Sequence, residues 1–166
     1  MTIDLDELTA RAAIEDALRS YTRGIDRLDP DLVQAAFHDD AVLSGYGSAA
    51  DMSAADFATY AVPRLREGYK ATQHRISNIT VERDGDTALV ETYVLAYHMQ
   101  VTDDGDVLHT FNGRYIDRFE CRDGKWLIAH RTLRNDWSRV DPPAPPMRGD
   151  YIASGRDRTD PVYGGR

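Results

Sequence analysis

The chain has 166 residues, 42% of them hydrophobic and 29% charged, which fits one soluble domain with a full core. A net charge of −8 argues against a nucleic-acid surface, which needs clustered Lys and Arg, and against an anionic membrane. There is no apolar run of membrane-spanning length, no secretory leader pattern and only one cysteine, Cys121, features that together point to a reducing cytoplasm.

Asp4 with Glu7 reads as a capping box opening a helix over about residues 5–27. Its apolar stripe is Ile14, Leu18, Tyr21, Ile25 and Leu28, in alternating steps of four and three. Asp26 lies at the margin of that stripe. Asp29 then acts as N-cap and Pro30 as first helical residue of a short helix reaching about Phe37. His38-Asp39-Asp40 reads as a turn, and residues 41–47 as a short strand ending in glycines. Ser53 with Asp56 opens a third helix, from Ala54 to about Gly68, with Pro63 inside it.

Four long strand patterns follow, over about 72–83, 87–101, 107–121 and 125–138. They are separated by Asp-Gly pairs at Asp84-Gly85, Asp104-Gly105 and Asp123-Gly124, strong hairpin signals. Helices first and an antiparallel meander after predict an α+β fold with helices on one face of the sheet. Along the second long strand the even positions, Ala88, Val90, Thr92, Val94, Ala96 and His98, are mostly small. The odd positions, Leu89, Tyr93, Leu95, Tyr97 and Met99 among them, are large and apolar. The small face is expected to line a pocket under the helices, with Val90, Val94 and Ala96 contacting a hydrophobic substrate. The large face is expected to meet another copy of the chain. Residues 1–140 are assigned to the domain. Residues 141–166, rich in Pro, Gly and Arg, form a tail or an arm, anchored in the latter case by Met147, Tyr151, Ile152, Val162 and Tyr163.

The five histidines, His38, His74, His98, His109 and His130, show no metal-ligand spacing, and no phosphate-binding or nucleophile-elbow motif is present. Cys121 reads as structural. A carboxylate at the last turn of the first helix can reach a histidine at the sheet edge. Asp26 and His74 would then form a dyad, the carboxylate fixing the imidazole tautomer so that the other ring nitrogen takes a proton. Tyr21 offers a phenol to an oxygen of the substrate, and its stripe position reads equally well as a core aromatic. His98 is a second candidate.

The motifs Tyr21-Thr-Arg-Gly-Ile-Asp26-Arg-Leu-Asp, Thr72-Gln-His74-Arg-Ile-Ser-Asn and Asp123-Gly-Lys-Trp126 resemble the SnoaL-like branch of the NTF2-like superfamily. The nearest patterns are those of the scytalone dehydratases, hexachlorocyclohexane dehydrochlorinases and bile acid 7α-dehydratases. The resemblance spans about residues 5–138. It implies a cone of curved antiparallel sheet wrapped by helices, a homotrimer, and no metal or organic cofactor. It places the dyad on Asp26 and His74, the dehydratase tyrosine on Tyr21 and the second active-site histidine on His98. It also puts the dehydrochlorinase arginine on Arg131, with that enzyme's first-helix lysine absent. The serine and asparagine of scytalone dehydratase would fall near Gly113 and Tyr115, which makes scytalone a poor substrate and leaves Tyr115 as a substrate-binding position. The expected activity is a cofactor-independent elimination, most simply a dehydration, on a small hydrophobic aromatic or alicyclic molecule. Isomerisation or aldol-type C–C cleavage on the same dyad is one alternative. A non-catalytic binding module or a dioxygenase β-like accessory subunit is another.

Overall fold

The computed structural model describes residues 5–47, 50–145, 149, 152 and 154–164. The elements run α1 (Leu5–Arg27), α2 (Pro30–Gln34), β1 (Phe37–Ser44), β2 (Met52–Ser53), α3 (Ala54–Gly68), β3 (Ala71–Asp84), β4 (Thr87–Thr102), β5 (Gly105–Arg122), β6 (Lys125–Val140) and α4 (Pro161–Gly164). The strands form one curved, unclosed sheet in the order β2-β1-β6-β5-β4-β3. The expected α+β cone is therefore present.

The local signals act as their chemistry dictates. Asp29 accepts from the Leu32 amide at 3.3 Å, and Ser53 from the Asp56 amide at 3.0 Å, so both helices start where a side-chain oxygen satisfies an orphan donor. The predicted cap of α1, Asp4, lies outside the described residues. α1 stops in a Schellman motif: the Asp29 amide donates to Gly24 O at 2.8 Å and the Leu28 amide to Ile25 O at 3.3 Å. Leu28 sits at the left-handed position, φ 54°, which glycine usually fills. Its buried side chain offsets that strain. The β5–β6 turn uses Asp123 and Gly124, both at positive φ, as a two-residue hairpin requires.

Two expectations need correction. The second helix ends at Gln34 and not near Phe37, and His38-Asp39-Asp40 lie within β1 and not in a turn. The reason is tertiary. β1 runs parallel to β6, with Val42 opposite His130, and a register shift between Phe37 and Val42 accommodates the acidic pair. The sheet is thus mixed, the meander β3–β6 being antiparallel.

β4 shows the expected division of faces. Ala88, Val90, Thr92, Val94 and Ala96 are buried in the core shared with α1 and α3, whereas Leu89 is 52% and Tyr93 39% exposed. Trp137, level with Leu95 across β5, adds to the same outer face.

At Gly113 a Cβ would lie 2.0 Å from the Arg134 carbonyl oxygen, where β5 shifts register against β6. Gly113→Ala is expected to cost about 1–3 kcal/mol, as overpacked core substitutions do, read as a lower midpoint in urea denaturation.

Candidate active site

The end of α1 and the start of β3 bring Asp26 to His74. The Asp26 carboxylate accepts twice from that one residue: Oδ2 from the His74 backbone amide and Oδ1 from the ring at Nδ1, both at 2.8 Å. β3 is an edge strand, so its outward amides need partners from outside the sheet. Asp26 supplies one. The two side chains are 14% and 9% exposed, little screened by water. A carboxylate can only accept, so Nδ1 carries the proton and the Nε2 lone pair is left free.

His98 stands edge-on to the His74 ring, with centroids 5.2 Å apart. Tyr69 packs against His98 at 5.0 Å and against His109 at 5.7 Å, and His109 Nε2 lies 2.9 Å from Gln100 Oε1. Burial, and then the proximity of His74, push His98 down to about 4. His98 is therefore neutral near pH 7.

A second cluster faces the dyad. The hydroxyls of Tyr21 and Tyr46 are 3.1 Å apart. Tyr115 meets the Tyr21 ring edge-on at 5.6 Å. Burial raises all three phenols above their ordinary range, so they stay protonated donors. Arg131 lies against them, its guanidinium 4.3 Å from the Tyr21 centroid and 4.0 Å from that of Tyr115. It is fully buried and donates to both oxygens of Asp117, at 2.8 and 2.6 Å. Burial works against its charge, but Asp117, with Tyr46 and Tyr21 adding to it, more than offsets this and holds it well above the usual arginine range.

These groups meet at a cavity of about 350 Å³. Tyr21, His74, Ala96, His98 and Tyr115 line it, together with Ile25, Phe57, Leu65, Tyr69 and Phe111. Val90 and Val94, expected to touch substrate, lie instead in the closed core, because only the far end of the small face of β4 opens beneath the helices. Arg131, also expected to touch substrate, sits behind the wall, held there by Asp117. Sequence reasoning missed Tyr46, whose signal was an aromatic ring between two glycines. It also missed Tyr69, just past α3, and Asp117, the direct cross-strand neighbour of Arg131. Among the described residues, no group of three or more His, Cys, Asp or Glu is placed to hold a metal ion. None of their helices is long and apolar enough to cross a membrane.

The depressed His98 value gives a signed prediction. An unfolded chain binds a proton at this histidine near pH 6.5, and the folded chain only near 4. Stability should therefore fall as pH drops through that window, by on the order of 3 kcal/mol from this group. His98→Gln is expected to flatten that slope in urea denaturation series run between about pH 4 and 7.

The family model of the SnoaL-like domain matches residues 6–132. Among solved structures, a scytalone dehydratase candidate from Novosphingobium aromaticivorans superposes with a TM-score of 0.68 at 24% identity, over 86% of this chain and 97% of that one. The hexachlorocyclohexane dehydrochlorinase LinA-type3 from Novosphingobium barchaimii does so with a TM-score of 0.73 at 22% identity, over 88% and 99%. A type 2 LinA dehydrochlorinase gives 0.75 at 22% identity, over 89% and 99%. A comparison with curated proteins finds no match. The matched span runs from the first turn of α1 into β6 and so contains Asp26, His74, the three phenols and all of the cavity's lining residues but Leu133: the chain belongs to the SnoaL-like family.

Proposed function

We propose that the protein is a cofactor-independent lyase, a dehydratase or an enzyme of similar elimination, acting on a small hydrophobic aromatic or alicyclic molecule. The carrying observation is the Asp26–His74 pair at the cavity, joined by two 2.8 Å contacts. A binding module has no need of an oriented imidazole whose second nitrogen is left free.

In the reaction, His74 Nε2 removes a proton from a carbon acidified by a neighbouring electron-withdrawing group. The carbon–oxygen bond on the adjacent carbon breaks, the hydroxyl leaves as water and a double bond forms. Asp26 stabilises the imidazolium produced in the first step. On this reading the neutral phenols of Tyr21 and Tyr46 donate to the developing oxyanion. His98 is neutral and the phenols are weak acids, so the strongest acid available to the leaving hydroxyl is the His74 imidazolium itself. One group then takes the proton and returns it, and the proton and hydroxyl depart from the same face of the substrate. The aromatic walls, Phe57, Phe111 and Tyr115 among them, suit a flat or ring-shaped apolar molecule.

The working form is proposed to be a cytoplasmic homotrimer joined through the outer sheet face. There Leu89, Tyr93 and Trp137 are exposed in the single chain. Light scattering after size exclusion should return three chains. Leu89→Asp combined with Tyr93→Asp should yield monomers, and a wild-type monomer at working concentration would refute the assignment.

The dyad is tested by screening hydroxylated aromatic and alicyclic compounds for loss of water, then repeating the reaction with variants. His74→Ala and Asp26→Asn are each expected to lower kcat by about 10²–10⁴-fold, with the assembly unchanged. Near-normal turnover in either variant rules out this mechanism.

A further inference from the structure

The end of the chain folds back on the domain that carries the site. Arg27, next to Asp26, donates to Ser154 Oγ at 3.2 Å and pairs with Asp160 at 3.6 Å. Arg158 pairs with Asp29 Oδ2 at 3.2 Å, and the Tyr163 hydroxyl donates to the same oxygen at 3.0 Å. Arg23 donates to Val162 O at 3.4 Å. Residues 154–164 of the segment read from the sequence as a tail or an arm lie on their own chain. Of its expected anchors, Val162 and Tyr163 take part in these contacts, Ile152 is fully exposed, and Met147 and Tyr151 lie outside the described residues.

Arg156 is the part of the arm that reaches the site. Its Nη1 donates to the carbonyls of Leu65 and Tyr69, and its Nη2 to Leu65 O and to Thr72 Oγ1, both at 3.4 Å. Leu65 lies in the last turn of α3, where the negative end of the helix dipole favours a cation, and its carbonyl also accepts from the Tyr69 amide at 3.3 Å. Leu65 and Tyr69 both line the cavity. Thr72 is buried on β3, two residues before His74. The same guanidinium is close enough to Asp26 for the two charges to attract. One side chain therefore joins the end of α3 to the start of the edge strand and presents positive charge to the carboxylate at the end of α1.

We propose that Arg156 is a positioning residue, which clamps the end of α3 and the start of β3 so that His74 stays within hydrogen-bonding distance of Asp26. Its relevance to turnover rests on the reading of Asp26 and His74 as the catalytic pair, whereas its effect on their geometry does not. The His74 amide reports that geometry directly, because its acceptor is Asp26 Oδ2.

The test is native-state hydrogen exchange on the full-length assembly. In Arg156→Gln the His74 amide is expected to exchange about tenfold faster, the factor carried by one net hydrogen bond. Amides in the middle of β5, such as that of Ile116, should stay at their wild-type rates. Arg156→Lys keeps the charge but lacks the planar fork that reaches both α3 and β3, and should restore part of the protection. Thr72→Val, which removes one acceptor and keeps the shape, should give the same local pattern at smaller size and serves if Arg156→Gln does not fold. Wild-type protection at His74, or an acceleration shared equally by the β5 amides, overturns the proposal. Full turnover in His74→Ala would instead sink the lyase reading and leave this measurement standing.

Discussion

The structure depends on one carboxylate in an unfavourable place. Asp26 lies in the last turn of α1, at the negative end of the helix dipole, where a carboxylate costs about 0.3–1 kcal/mol and a cation would be favoured. It is held there by its contacts across the chain. The Schellman stop at Leu28 ends the helix two residues later, so the carboxylate is presented at the tip and not buried along the barrel of the helix. The edge strand supplies a donor that no neighbouring strand can satisfy. Because Asp26 takes both the amide and the ring nitrogen of His74, the contact that docks β3 on α1 is also the contact that fixes the imidazole. Fold and chemistry share it, and neither partner can be moved without the other.

The Arg131–Asp117 pair plays a different part. Both groups are fully inaccessible, and taking two charges out of water offsets most of their mutual attraction, so the pair is weak evidence for stability. Its position says more. The guanidinium carbon lies 4.3 and 4.0 Å from the ring centroids of Tyr21 and Tyr115, two rings that meet at 86°. A flexible apolar side chain in the same space would leave those rings free to turn. An arginine held by both oxygens of Asp117 and seated against both rings does not, and so it fixes the phenol hydroxyls at the cavity. The arginine serves the site from behind the wall.

How far the sequence could be read follows the range of each signal. Caps, hairpins and the β4 alternation act over a few residues, and they placed α1, α3 and the four long strands within about two residues. The Asp26–His74 contact was legible because helix end and strand start each carried a local signature. The failures are non-local. His38-Asp39-Asp40 looks like a turn by composition, and only the parallel pairing with β6 makes it strand. Counted back from the Asp123-Gly124 turn, Asp117 falls opposite His130. A bulge between Arg118 and Phe119 moves it one residue onto Arg131. Val90 and Val94 have the right alternation for a pocket wall, but alternation gives the face and not how far along it the cavity extends. Arg156 sits in a proline- and glycine-rich segment with no periodicity, so nothing near it in sequence announces what it touches.

The two histidines at the cavity show how environment divides roles between identical side chains. His74 has a carboxylate on one nitrogen and can accept a proton on the other, with the resulting charge compensated at 2.8 Å. His98, 5.2 Å away between ring centres, has no carboxylate of its own, is surrounded by Tyr69 and the apolar wall, and resists protonation down to about pH 4. His74 contributes to that resistance, because two adjacent cations would share one low-dielectric pocket. On the proposed reading, His74 is the base and His98 a neutral neighbour that can only orient or relay. This asymmetry needs no difference in residue type. It comes from the placement of one aspartate at the end of the first helix.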